Sequence, residues 1–178
     1  FDVITYEELT RACVSSFGNG IQSVVAHYLM VYGTEEQKQR WLPKMASGEL
    51  ITSIAMTEPG TGSDLQAVKT RAVRDGDEYV LNGSKIYITN GDIADVVLVY
   101  AKTDLAAGHR GITAFVVETN TPGFAVAQKL SKMGYRGSPT AELVFDDCRV
   151  PAANIVGEEN NGVAVVMSGL DLERIFYA

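Results

Sequence analysis

Gly169-Leu170-Asp171-Leu172-Glu173-Arg174 places a carboxylate and a guanidinium where helical spacing predicts an apolar face. From Val163 onward, Val163, Val166, Met167, Leu170 and Tyr177 recur at helical intervals, and Glu173 and Arg174 fall on that stripe. A surface helix normally turns its charges away from such a stripe, and an ionised carboxylate buried without partners is costly. A desolvated carboxylate is also what a proton-abstracting base needs to be basic near neutral pH. On the helix alone, a rim salt bridge or a subunit contact is the simpler account.

Two stretches upstream could hold a ligand. Met56-Thr57-Glu58-Pro59-Gly60-Thr61-Gly62-Ser63-Asp64 has glycines that let successive N–H groups point one way, and Thr57, Thr61 and Ser63 add hydroxyls. Such a loop suits a phosphate or the polar edge of a heterocycle, and an ordinary Pro-Gly turn explains it as well. It is neither a Walker loop nor a dinucleotide fingerprint, since Gly-Lys-Ser/Thr and GxGxxG are both missing. Tyr87-Ile88-Thr89-Asn90-Gly91 could wall a flat ring, with Thr89 bonding a ring nitrogen. Taken alone, it reads first as a strand entering an Asn-Gly turn.

The elements that must position these residues change along the chain. Residues 1–50 read as helical, with capping-box patterns at Thr5/Glu8 and Thr34/Gln37 and with Pro43 and Gly48 marking the end. From Leu50 the period becomes strand-like. Strands are expected at 51–56, 69–73, 79–81, 85–89, 96–103, 112–117, 124–130 and 141–145, separated by turns that include Asn82-Gly83 and Thr121-Pro122-Gly123. Short strands at this spacing indicate an antiparallel barrel or sandwich. Asn160 or Asn161 then starts the helix that carries Glu173. The fold class is thus α+β: a helical segment at 1–50, an antiparallel, β-barrel-like middle domain at 51–158, and the start of a helical bundle at 159–178.

The chain has 178 residues and a net charge of −7, which argues against nucleic acid as a partner. Cys13 and Cys148 stand far apart, and His27 and His109 give no metal-ligand spacing, so no metal site and reduced thiols are expected. No run approaches a membrane span. The chain opens on Phe1 and stops inside an unfinished helical pattern, so an internal piece of a larger protein is expected.

Together these stretches resemble the acyl-CoA dehydrogenase family of flavoproteins. The resemblance is carried by Met56–Asp64, by Leu81-Asn82-Gly83-Ser84-Lys85-Ile86-Tyr87-Ile88-Thr89-Asn90-Gly91, by Arg110–Val117 and by Leu143–Pro151. It implies FAD as cofactor, with Ile54, Met56, Thr57, Gly62 and Ser63 on one side of it. Tyr87, Ile88 and Thr89 would flank the isoalloxazine, with Thr89 near N5. Many relatives have Trp in place of Tyr87. Ser63, Asp171, Leu172 and Arg174 look like contacts to the acyl-CoA substrate, and Gly108-His109 is a further possibility.

The implied reaction is α,β-dehydrogenation of an acyl-CoA to the 2-enoyl-CoA. Most members take the base from a later helix; a smaller group takes it from the helix present here, with Glu at the position of Glu173. Gly169–Arg174, preceded by Met167-Ser168, looks most like the isovaleryl-CoA type, so Glu173 is the expected base. Ile175-Phe176-Tyr177 and Pro139 depart from the usual pattern and leave another branched or longer acyl group open. The resemblance further implies an electron-transfer flavoprotein as partner, a homotetramer, and the mitochondrial matrix or a bacterial cytoplasm. An acyl-CoA oxidase, a nitroalkane-oxidase-like flavoprotein and a non-catalytic binding protein of the same fold are the competing readings.

Overall fold

The structure, a computed structural model, describes residues 2–14, 19–64 and 67–176, with side chains followed as far as position 170. Helices α1 (Asp2–Arg11), α2 (Asn19–Tyr32) and α3 (Glu35–Ser47) come first. The expected capping box opens α3: the Thr34 hydroxyl accepts from the Gln37 N–H at 3.2 Å, and the Gln37 side chain accepts from the Thr34 N–H at 3.1 Å. The other box is not used as a cap, because α1 begins at Asp2 and Thr5 already lies inside it. Pro43 also falls inside its helix; α3 runs on to Ser47, and the left-handed Gly48 ends it.

Eight strands follow: β1 (Thr52–Ala55), β2 (Arg71–Asp75), β3 (Glu78–Thr89), β4 (Val96–Lys102), β5 (Ile112–Glu118), β6 (Phe124–Lys129), β7 (Thr140–Pro151) and β8 (Ile155–Val156). Helix α4 (Gly162–Phe176) closes the described chain. The α+β class stands, but the pairing differs from an antiparallel barrel. The sheet is mixed and open, in the order β6-β7-β3-β2-β4-β5-β8, with β1 joining β4 in parallel. Asn82-Gly83 is not a hairpin turn: β3 runs straight through it, and the register slip there is absorbed by β7.

The core explains why β4 and β5 read as unbroken apolar runs. Val96, Leu98 and Tyr100 of β4 face the helices, where they join Tyr28, Leu29, Trp41 and Val165. Val97, Val99 and Ala101 point the other way, into a second core with Tyr79, Leu81, Leu143 and Phe145 of β3 and β7. Strands covered on both faces lose the polar alternation that marks a half-exposed sheet.

Helix α4 docks against α2 through a close approach. The buried Tyr28 hydroxyl donates to the Val166 carbonyl at 3.1 Å. A Cβ added at Gly169 would stand 2.5–2.7 Å from the Tyr28 ring and hydroxyl. Gly169→Ala therefore forces the ring or the helix aside, and an overpacking loss of about 1–3 kcal/mol is expected, read by chemical unfolding. The stripe expected from Val163 is rotated in the structure: Val165, Val166 and Gly169 are buried, whereas Met167 is half exposed. Tyr177 lies outside the described residues.

Candidate active site

β1 and β2 follow one another along the same edge of β4. Ala55 pairs with Val99 and Arg71 with Lys102, so only Tyr100 and Ala101 separate the two strands. The residues from Met56 to Thr70 leave that edge and return to it almost at once, which obliges the segment to fold back on itself. Glu58 and Thr61 make the first fold, exchanging backbone bonds of 2.9 and 3.0 Å. The Thr61 hydroxyl donates inward to the Ala67 carbonyl at 3.0 Å, so it is spent on the loop itself.

The Glu58 carboxylate draws the excursion together. It accepts from the Lys69 N–H at 2.6 Å, from the Thr70 N–H at 2.9 Å and hydroxyl at 2.7 Å, and from Lys85 Nζ at 2.9 Å. Lys85 Nζ also donates to the Met56 carbonyl at 3.1 Å, and the Ile86 N–H donates to the Thr57 carbonyl at 2.9 Å. The loop is thereby sewn to β3. The Lys85 and Glu58 side chains are 0% and 5% exposed. Gly83 makes the approach possible, because a Cβ there would lie 2.6–2.9 Å from Thr70.

Burial works against both charges, with different outcomes. At Glu58 burial raises the pKa, but Lys85 and the Thr70 and Lys69 donors outweigh it and hold the group below its usual 4.5. At Lys85 burial dominates, Glu58 offsets it only in part, and the pKa falls from 10.5 to about 8. The bonds account for the contrast: Glu58 collects four donors, whereas Lys85 reaches two acceptors. The carboxylate is the anchor and the ammonium the marginal partner. Below pH 4.5 the unfolded chain takes up the Glu58 proton before the folded one does, so stability falls as pH falls through that range. In unfolding titrations, Glu58→Gln is expected to show a shallower acid decline than wild type.

Farther along β3 the ladder slips between Lys85 and Ile88, where Ile86 and Tyr87 oppose the single residue Glu142 of β7. Tyr87 sits in this bulge with φ +60° and is 67% exposed. The bulge turns an aromatic face outward between the half-buried Ile86 and the buried Ile88. The Ile88 side chain goes into the second core. The Thr89 carbonyl accepts from Ser53 Oγ at 2.6 Å, which draws the end of β3 onto β1.

The structure therefore seats the start of the loop, Met56 and Thr57, against Lys85 and Ile86 of β3, directly before Tyr87. Thr57 is half-buried, Gly62 and Ser63 are exposed, and a Cβ at Gly62 meets nothing within 4 Å. Ile54 and Met56 pack partly against the helix-side core, the same cluster that holds Val163, Val165, Val166 and Leu170 of α4. Positions 171–174 lie on the α4 backbone beyond that contact; the side chains of Asp171, Leu172, Glu173 and Arg174 lie outside the described residues. His109 is exposed in a short 3-10 turn before β5. Among the described residues no group of three or more His, Cys, Asp or Glu could hold a metal.

Sequence reading passed over the Glu58–Lys85 pair, yet the signal was there. Counting by twos from Tyr79 and Leu81 through Gly83 reaches Lys85 on the inward face, and a buried lysine needs a carboxylate.

Residues 53–148 match the acyl-CoA dehydrogenase middle domain and residues 1–49 the N-terminal domain. The chain belongs to the acyl-CoA dehydrogenase family. It is 52% identical to the mitochondrial isovaleryl-CoA dehydrogenase of Pongo abelii, over 99% of this chain and 43% of that protein. It is 51% identical to the mitochondrial 2-methylacyl-CoA dehydrogenase of Solanum tuberosum, over 100% of this chain and 44% of that one. The crystal structure of an acyl-CoA dehydrogenase from Geobacillus kaustophilus superimposes with a TM-score of 0.94 at 50% identity, covering 98% of this chain and 47% of that one. The chain thus spans less than half the length of these relatives.

Proposed function

We propose that the full-length protein is an FAD-dependent acyl-CoA dehydrogenase acting on a short or branched thioester, isovaleryl-CoA or similar. The observation that carries this reading is the seam between the start of the loop and β3, where the Ile86 N–H bonds the Thr57 carbonyl one residue before Tyr87 and Ser53 Oγ bonds the Thr89 carbonyl, on a chain of this family. An outward aromatic face, open space at Gly62 and hydroxyls at Thr57 and Ser63 fit a flat heterocycle with a polar edge. Ile54, Met56, Thr57, Gly62 and Ser63 hold FAD on one side, and Tyr87, Thr89 and the Ile88 backbone on the other. FAD, when bound, supplies the two-electron acceptor.

Glu173 takes the proton from the α carbon of the thioester. Its helix position is four residues after Gly169 and seven after Val166, a spacing that keeps one face. The packing of α4 and β1 in one core supports a base and a flavin on opposite sides of a substrate. Ser63, Asp171, Leu172 and Arg174 orient the acyl-CoA. The chain divides into an N-terminal helical end at 1–50, the middle β domain at 51–158 and the first helix of a C-terminal bundle at 159–178. Electrons pass to an electron-transfer flavoprotein, and the protein works as a homotetramer. Its compartment is the mitochondrial matrix in a eukaryote or the cytoplasm in a bacterium, in keeping with relatives named as mitochondrial.

The test is anaerobic mixing of the flavin-loaded protein with isovaleryl-CoA, a 2-methylacyl-CoA and straight-chain thioesters, followed by flavin absorbance. Fastest bleaching with isovaleryl-CoA supports the specificity, and fastest bleaching with a long straight chain overturns it. Rapid recolouring by oxygen alone would make the protein an oxidase instead.

A further inference from the structure

We propose that Glu58 and Lys85 are positioning residues that fix the spacing between the two walls of the flavin site. This rests on the flavin reading given above. The pair's bonds tie the loop to β3 and to the point where the loop rejoins the sheet. Lys85 reaches the Met56 carbonyl, and the next N–H, that of Ile86, reaches Thr57. On the same strand, one residue after Ile86, comes the Tyr87 bulge. Glu58 meanwhile gathers Lys69 and Thr70, the point where the loop rejoins the sheet.

Stability alone does not account for the pair. Replacing a buried ion pair with apolar groups of similar volume is often neutral or stabilising, whereas ionic bonds fix direction and distance. Apolar packing would fill the space between loop and strand without specifying their separation. Gly83 and Thr70 belong to the same device: the missing Cβ lets β3 lie against Thr70, whose N–H and hydroxyl both bond Glu58. A glycine inside a strand weakens the ladder, and here it brings the anchor within reach.

The test uses the full-length protein with Glu58→Gln, Lys85→Met and the double variant. Amide hydrogen exchange is measured on flavin-free protein, alongside the thermal midpoint, the FAD dissociation constant and the flavin absorbance spectrum. In Glu58→Gln the Thr61, Lys69, Thr70 and Ile86 amides are expected to exchange about tenfold faster while Val97 and Phe115 keep their protection. FAD binding is expected to weaken about tenfold, with an altered flavin band shape. The double variant removes the unpaired charge, so its thermal midpoint recovers while its local protection and FAD affinity do not. Recovery of all three together overturns the proposal, as does exchange that stays at the wild-type rate or rises equally in the core. A folded wild-type protein that binds no FAD sinks the flavin reading instead, and the exchange data still decide whether the pair positions the loop.

Discussion

Glu173→Gln in the full-length protein is expected to leave folding and flavin content intact while slowing flavin bleaching by acyl-CoA about 10²–10⁴-fold. The substitution keeps size and hydrogen bonding at position 173 but removes the proton acceptor. The loss should appear in the reduction rate at saturating substrate, with substrate binding little changed, since the group acts on the proton in transit. Pre-steady-state mixing under anaerobic conditions separates these quantities. Reduction at close to the wild-type rate would place the base on another helix and leave Glu173 a structural residue.

The largest stability effect is expected at Lys85. Lys85→Met leaves the Glu58 carboxylate buried with its ionic partner gone, and breaking such a pair from one side costs about 3–5 kcal/mol. Urea unfolding near neutral pH reads this directly. Lys85 releases its proton near pH 8 in the folded chain, against an ordinary value of 10.5. Between those values the unfolded chain holds a proton that the folded chain has lost, so stability rises with pH through the window. That rise should be present in wild type and missing from Lys85→Met. Equal pH slopes in the two proteins would contradict the assignment of the buried charge.

The fold was legible wherever a local signal decided the outcome. Thr34 and Gln37 formed the cap their spacing indicates, and the apolar runs of β4 and β5 became strands. Pairing was less legible, because parallel contacts of β4 with β1 and β2 depend on long-range packing that leaves no turn between the partners. Asn82-Gly83 misled for a related reason. An Asn-Gly step marks a hairpin only when the strands around it pair with each other, and here both halves pair with β7.

The site was legible as types of residue, less so as geometry. Tyr87 was visible as an aromatic, but its outward turn comes from a bulge that alternation does not encode. Ile88 was grouped with its neighbours by sequence, and the same bulge sends its side chain into the core. The type and place of Thr61 suggest a donor for a ligand, whereas its hydroxyl closes the loop. Glu58 carries no distinguishing pattern in the sequence, and its four donors identify it as the anchor.

The most direct measurement is a crystal structure of the full-length protein with FAD and a non-reacting acyl-CoA analogue. The isoalloxazine is expected against Tyr87–Thr89 and the Thr57–Ser63 loop, with the Glu173 carboxylate beside the α carbon's proton. A flavin seated away from those two stretches, or a different carboxylate at the α carbon, would contradict that expectation.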